Sequence, residues 1–148
     1  HDIEMFAPIH DIGKIGIAKE ILKKPGKLTK EEFEKIKEHV IIGYHMIGNT
    51  ALPNIAKNIV KYHHEKWDGS GYPEGLKEEN IPIEARVLAI ADVFDALSTA
   101  RPYKKAFSIE NSVAIIKQDS GSHFDPNLVE IFLSKLDEIL NTKNKLSD

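Results

Sequence analysis

The sequence predicts an all-α protein, a helical bundle formed by one domain. Apolar residues recur at helical spacing in several segments, while no segment shows sustained alternation of apolar and polar residues. No Asn-Gly or Asp-Gly turn joins two β-branched runs. The chain has 148 residues and is 41% hydrophobic, which is enough to bury the core of a single domain.

The first half of the chain contains a clear helix start. Residues 3–12 read as the end of a helix, and the glycines within 12–16 break the pattern. Thr29 followed by Glu32 forms a capping box, which predicts a helix from there to about Gly48. Phe33 lies on the apolar face of this helix.

The second half shows further helix signals, among them Pro82 in a first turn and the cap-proline pair Asp125-Pro126. The predicted elements are, in order, a helix over 54–65, a polar glycine-rich loop over 67–80, helices over 82–99, 108–121 and 125–140, and a frayed tail over 141–148. We expect one domain over residues 1–148. The first residue is His1 rather than Met, so we expect the chain to be an N-terminally truncated fragment.

Composition limits the possible functions. There is no cysteine, so disulfides and thiolate metal sites are excluded and any metal must be bound by nitrogen and oxygen. The net charge of −3 argues against bulk electrostatic binding to DNA or to an anionic membrane. No apolar run approaches the roughly 20 residues of a membrane span, and no signal peptide opens the chain. We therefore expect a cytoplasmic protein.

Side chains able to bind a metal interrupt four separate apolar-patterned segments. They are His10, Asp11, His39, His63, His64 and Asp92. A carboxylate in an apolar helix costs several kcal/mol unless it is paired or bound to a metal. Imidazole and carboxylate together suit divalent ions such as Zn, Fe and Mn. The pattern therefore indicates a metal-assisted hydrolase.

Each group also has a plainer interpretation when it is taken alone. The pair His10-Asp11 is then best explained as a helix cap. His63 fits a core histidine beside an exposed His64, and Asp92 with Asp95 could face solvent on an amphipathic helix. Because that helix is apolar over a wide arc, we do not expect both carboxylates to be fully exposed. We expect Asp95 to orient a ligand or the attacking water.

Other residues suit the binding of phosphate or a base. Tyr72 lies in the loop Asp68-Gly69-Ser70-Gly71-Tyr72-Pro73, where glycines let the backbone approach a ligand closely. Lys14 follows the His-Asp pair, and Arg101 and Lys104 follow the helix that carries Asp92. Such cations can hold phosphates, although short basic runs are more often solvated helix ends.

Taken together, these residues closely resemble the HD-GYP family, a branch of the HD phosphohydrolase superfamily. The matches run in order through His10-Asp11-Ile12-Gly13-Lys14, His39, His63-His64-Glu65-Lys66, residues 68–73, residues 92–97, Arg101-Pro102-Tyr103-Lys104 and His123-Phe124-Asp125-Pro126. The resemblance spans nearly the whole chain. The combined set is highly specific, although none of its parts is.

The resemblance implies a bundle of the HD-domain type that hydrolyses the bacterial second messenger cyclic di-GMP to pGpG or GMP. It implies a centre of two divalent metals, sometimes three, with Fe or Mn favoured and Zn, Ni or Mg compatible. Carried over by position, the metal ligands are His10, Asp11, His39, His63, His64 and Asp92. Asp11 would bridge the metals and Lys14 would lie beside the nucleophile. Tyr72, Arg101 and Lys104 would bind substrate.

The resemblance also implies features outside this chain. The family places a His, and in trinuclear members a Glu, on a helix well upstream of His10, and this chain begins too late to hold them. Family members are usually output domains behind a sensory or receiver domain, so we expect such a domain upstream and possible protein partners besides cyclic di-GMP, but no DNA.

Three other interpretations stay open. The first is a catalytically impaired module that binds cyclic di-GMP or a protein, and the second is an HD phosphohydrolase acting on another nucleotide. The third is a helical domain with incidental histidines.

Overall fold

The computed structural model describes residues 2–100 and 104–147, and this part of the chain is helical without a β-strand. Its α-helices are α1 (Asp2–Phe6), α2 (Lys19–Leu22), α3 (Lys30–Gly48), α4 (Asn54–Tyr62), α5 (Ile83–Ser98), α6 (Ile109–Gln118), α7 (Pro126–Ser134) and α8 (Leu136–Ser147). Short 3-10 helices lie at Ala7–Ile9, Ile12–Gly16 and Glu78–Asn80. The predicted all-α fold is confirmed. None of the described helices is long and apolar enough to cross a membrane.

One hydrophobic cluster of the core forms where the apolar faces of α5, α6 and α7 meet. Its buried members are Ala89, Ile90, Phe94, Val113, Ile116, Phe124, Val129 and Phe132. The rings of Phe94 and Phe132 meet edge to face with centroids 5.2 Å apart, an arrangement that aromatic pairs prefer. On the other side of α5, α4 packs against it, and α4 in turn packs against α3. Helix α5 therefore lies between the two halves of the molecule.

The predicted start of α3 is confirmed in detail. The Thr29 hydroxyl accepts a hydrogen bond from the Glu32 backbone N–H at 3.1 Å, and the Glu32 carboxylate accepts one from the Thr29 N–H at 2.8 Å. Asp125 caps α7 in the same way, since its carboxylate accepts the Asn127 N–H at 2.9 Å. These caps satisfy backbone donors that have no partner within the helix.

Two predicted helices end earlier than their sequence patterns indicate. The helix predicted over 3–12 stops at Phe6 and continues as a 3-10 turn that contains Pro8 near its start. Proline has no N–H to donate and disfavours a continuing α-helix. The spacing of apolar residues, on which the prediction rests, does not reflect this effect. The helix predicted over 54–65 ends at Tyr62, so His63, His64 and Glu65 lie beyond its last turn.

The C-terminal region also differs from the prediction. The helix predicted over 125–140 is broken at Lys135, whose N–H bonds to the carbonyls of Ile131 and Phe132 before α8 begins. Apolar residues of α8 still pack on the core, so the helical spacing of apolar residues continues across the break. The tail predicted to fray from residue 141 is helical through Ser147. Lys143 ties this helix to the rest of the domain by donating to the Thr99 hydroxyl at 2.7 Å.

Candidate metal centre

Close packing of a short turn against α3 positions Asp11. The 3-10 helix Ile12–Gly16 follows this residue and lies directly on α3. A Cβ atom at Gly13 would lie 1.7 Å from the His39 carbonyl oxygen and 2.6 Å from the Gly43 nitrogen. Only glycine permits this approach, which brings the Asp11 carboxylate next to the His39 ring.

Two buried imidazoles converge on one oxygen of Asp11. The Nε2 atoms of His39 and His63 lie 3.3 and 3.4 Å from Asp11 Oδ1, and 3.5 Å from each other. His39 is 1% exposed and His63 is 3% exposed. With His64 they form a set in which one ligand atom from each residue lies within 4.8 Å of every other. This is a donor set suited to a divalent metal ion.

Backbone hydrogen bonds fix which ring nitrogen faces the centre. His39 Nδ1 lies 2.6 Å from the Ile36 carbonyl oxygen, and His63 Nδ1 lies 2.9 Å from that of Ile59 and 3.2 Å from that of Val60. A carbonyl can only accept, so Nδ1 carries the proton in each ring. In the neutral imidazole the lone pair of Nε2 is then directed toward Asp11, as it is in metal-binding histidines.

The second oxygen of Asp11 faces a different group. Asp11 Oδ2 lies 3.1 Å from His10 Nε2 and 3.3 Å from Lys14 Nζ, while His10 Nε2 lies 3.4 Å from Asp92 Oδ1. His10 Nδ1 donates to the Ala7 carbonyl at 2.6 Å. His10 Nε2 is buried and, among the described residues, has no partner with hydrogen-bond geometry. Such an orphaned nitrogen between two carboxylates fits a second cation position.

The electrostatics of the cluster also favour a bound cation. Burial disfavours the charged form of His10, but the carboxylates of Asp11 and Asp92 outweigh this effect and raise its pKa to about 10. Burial likewise opposes ionisation of Asp11, yet the surrounding imidazoles hold its pKa well below the usual range. Burial, followed by the charges of His63 and His39, lowers the pKa of His64 to about 3. The carboxylates stay ionised and His64 stays neutral, which are the forms that bind metals, whereas His10 would have to release its proton to become a ligand.

Glu65 holds the glycine-rich loop beside the centre. Its carboxylate is 2% exposed and accepts the backbone N–H groups of Glu74, Gly75 and Leu76 at 2.8, 3.1 and 2.9 Å. A Cβ atom at Gly71 would lie 2.5 Å from the His64 carbonyl oxygen, so the loop can return this closely only with glycine. The loop therefore folds back over His64.

This return places Tyr72 against the centre. Its ring stacks on the His64 ring with centroids 4.9 Å apart and an angle of 19° between the planes. Burial, and then the charge of Asp11, raises the pKa of Tyr72, so the phenol keeps its proton and can donate a hydrogen bond.

The structure places the remaining predicted residues differently. Asp92 lies beside His10, whereas Asp95 is exposed and contacts Thr99 and Lys143. The expectation that Asp95 orients a ligand at the centre is therefore wrong: although Asp95 follows Asp92 by one helical turn, its carboxylate is directed toward Thr99 and Lys143. Lys104 is exposed with its Nζ over the Phe107 ring, 5.1 Å from the centroid. Arg101 lies outside the described residues.

Sequence reasoning missed two contributors to this region. It gave no role to Glu65, although a carboxylate directly after two candidate ligands and before a glycine-rich loop is a usable signal for a loop anchor. It also placed Phe33 on the core face of α3, whereas the side chain is 45% exposed near Tyr72.

The fold and the cluster together define an all-α domain that carries a group of histidine and aspartate side chains suited to binding metal ions. The chain belongs to the HD domain family, which matches residues 1–128. Its resemblance to the HD-GYP branch is confirmed by this match together with its relatives.

Curated relatives cover nearly all of this chain. A cyclic di-GMP phosphodiesterase of Thermotoga maritima is 45% identical over 149 residues, which cover 99% of this chain and 40% of the relative. A cyclic di-GMP phosphodiesterase of Vibrio cholerae is 52% identical over 135 residues, covering 86% of this chain and 27% of the relative. The chain thus spans well under half the length of these relatives.

A solved structure shares the fold. The crystal structure of a cyclic GMP-AMP-specific phosphodiesterase of V. cholerae matches with a TM-score of 0.71 at 20% identity. The match covers 93% of this chain and 38% of that chain. At this level of identity the likeness concerns the fold.

Proposed function

We propose that this domain is a metal-dependent phosphodiesterase that hydrolyses cyclic di-GMP to pGpG or GMP. The convergence of His39 and His63 on Asp11, with Nε2 of each ring turned inward, carries the proposal. Relatives named cyclic di-GMP phosphodiesterases at 45% and 52% identity support the choice of substrate. The cytoplasmic location and an upstream sensory or receiver domain stay predictions.

The two oxygens of Asp11 suggest how the ligands divide between two metals. His39, His63 and His64 would hold one ion at Oδ1, and His10 and Asp92 would hold the other at Oδ2. Nitrogen and oxygen ligands of this kind suit Fe or Mn, and also Zn, Ni or Mg. When bound, the metals supply a water of lowered pKa as the nucleophile and positive charge for the phosphoryl oxygens.

Side chains beside the centre would act on the substrate directly. Lys14 Nζ lies 3.3 Å from Asp11 Oδ2 and its side chain is 44% exposed, so the ammonium can reach a phosphate oxygen while it stays near the carboxylate. It would stabilise the negative charge that develops at phosphorus. The protonated phenol of Tyr72 would donate to another phosphate oxygen. Arg101 and Lys104 stay predictions as substrate-binding residues.

The test is hydrolysis by the purified domain prepared without oxygen. Metal content is measured by elemental analysis, and products are separated by chromatography after incubation with cyclic di-GMP or 3'3'-cGAMP. The second substrate is included because a 3'3'-cGAMP-specific phosphodiesterase of V. cholerae is 43% identical over 148 residues. We expect bound metal and formation of pGpG or GMP. Binding of cyclic di-GMP without any product would instead establish a receptor module, and faster turnover of 3'3'-cGAMP would reassign the substrate.

A further inference from the structure

A second group of side chains lies next to the candidate metal centre, on the first half of α3. Phe33 is 45% exposed, so part of its ring is accessible to a ligand. Its ring meets the Tyr72 ring edge to face, with centroids 6.4 Å apart and an angle of 86° between the planes. Lys37 follows one helical turn later, so that it lies on the same face of the helix as Phe33.

The Lys37 ammonium lies over both rings. Its Nζ is 5.2 Å from the Phe33 centroid and 5.3 Å from the Tyr72 centroid, within the range of a cation–π interaction. It donates one hydrogen bond to Glu34 Oε1 at 3.0 Å. An ammonium has three N–H donors, so this bond leaves capacity for a ligand.

These side chains form a continuous line from the surface to the centre. Phe33 contacts Tyr72, and Tyr72 stacks on His64, which belongs to the candidate ligand set. A ligand whose phosphodiester lies at Asp11 would therefore have its outer parts near Tyr72 and Phe33. In a dinucleotide those outer parts are the bases.

We infer that Phe33 and Lys37 form a base-binding subsite, in which the ring of Phe33 packs against a purine and Lys37 donates to an acceptor on the purine edge. Every base has a π-face, and stacking on an exposed aromatic side chain is the common way in which proteins hold an unpaired base. Guanine offers the O6 and N7 acceptors to a lysine. The inference rests on the proposed phosphodiesterase function and specifies which part of the substrate α3 recognises.

The test compares two phosphodiesters in the purified, metal-loaded domain. Cyclic di-GMP carries purines, whereas methyl p-nitrophenyl phosphate reports on the metal centre and carries none. For Phe33→Ala we expect KM for cyclic di-GMP to rise about tenfold, the effect of losing one stacked base, with kcat changed less than about twofold. Hydrolysis of the small diester should not change. Phe33→Trp should keep the low KM, and Lys37→Met should raise it.

Ile131→Ala is the matched control, since Ile131 is an exposed apolar residue, 55% accessible, on α7. An unchanged KM in Phe33→Ala, or equal losses on both substrates, would overturn the subsite, because equal losses would mean that Phe33 only supports the fold.

The subsite and the proposed function fail in different ways. If the wild-type domain hydrolyses neither diester, the phosphodiesterase proposal fails. The subsite is then judged by the dissociation constant for cyclic di-GMP measured by calorimetry. A dissociation constant that is about tenfold higher in Phe33→Ala supports the subsite. An equal constant in the two proteins, or no binding by the wild type, overturns the subsite.

Discussion

The arrangement around Asp11 shows how one carboxylate can serve two cation positions. Its Oδ1 faces the rings of His39 and His63, and its Oδ2 faces His10 and Lys14. The backbone carbonyls behind the His39 and His63 rings hold the protons on Nδ1, so in the neutral rings the lone pairs of Nε2 are directed inward before any ligand arrives. These groups are oriented when the protein folds, so ligand binding does not have to supply the free energy needed to order them.

At the residue scale, we predict that Asp11→Ala removes both metal binding and hydrolysis. Alanine takes away the group shared by both proposed positions and leaves buried imidazoles without their carboxylate. Metal content should fall to background, and kcat/KM should fall by more than about 100-fold, the loss produced by residues that merely support a ligand. Elemental analysis and the chromatographic assay measure the two effects.

Asp95→Ala is the matched control for this variant. It also removes a carboxylate, but its side chain is 64% exposed and contacts Thr99 and Lys143 rather than the centre. It should keep both metal and activity. Full metal occupancy and full turnover in Asp11→Ala would contradict the assignment of Asp11.

At the scale of elements, the loop between α4 and α5 is ordered by groups at both of its sides. Glu65 accepts three of its backbone N–H groups. Near the start of the loop, the N–H groups of Trp67 and Asp68 donate to the carbonyls of His123 and Ser122 at 3.1 and 2.9 Å. The loop that carries Tyr72 is thus tied both to the histidine turn and to the segment before α7.

We predict that Glu65→Gln weakens this loop without removing the metal. A glutamine side chain has one acceptor oxygen, and its NH₂ group would face a buried backbone N–H. The free energy of unfolding should fall by about 1–3 kcal/mol, the cost of leaving a buried donor without a partner. Urea denaturation measures this change, and KM for cyclic di-GMP should rise because Tyr72 is held less firmly.

Glu79→Gln makes the same chemical change at an exposed position of the same loop. It should leave stability and KM unchanged. If Glu65→Gln behaves like this control, then the carboxylate is not what orders the loop.

At the scale of the whole molecule, the sequence predicts the helices and ligand types better than their assembly. The capping box at Thr29 and the cap at Asp125 are local signals and are found where predicted. The break at Lys135 was missed because apolar periodicity runs across it. The exposure of Phe33 was missed because it depends on what packs against α3, which no local pattern contains.

The convergence of the ligands is likewise a property of the whole chain. His63 lies 24 residues from His39, and their Nε2 atoms meet only because α4 packs on α3 and the turn at Gly13 fits closely against α3. Residue type and spacing made a metal site a reasonable hypothesis. The division of the ligands into two groups around the two oxygens of Asp11 could not be predicted without knowing how the helices pack.

The ion pair between Arg86 and Asp125 links α5 to the start of α7. Arg86 Nη1 lies 2.6 Å from Asp125 Oδ2, and Arg86 Nε donates to the Ile81 carbonyl at 2.9 Å. Asp125 is 4% exposed and caps α7, directly after the segment that bonds to the loop of Tyr72. The pair therefore connects α5, which carries Asp92, to the start of α7.

We predict that Asp125→Ala lowers the free energy of unfolding by about 3–5 kcal/mol, because a largely buried guanidinium loses its counter-charge. Arg86→Met should cost a similar amount, and the double variant should cost less than the sum, since the ion pair that each substitution breaks can be lost only once. Urea denaturation of the four proteins measures the coupling, with Asp137→Ala at an exposed position of α8 as the control. Additive losses would contradict the link, because they would show that each side chain stabilises its own helix independently of the other.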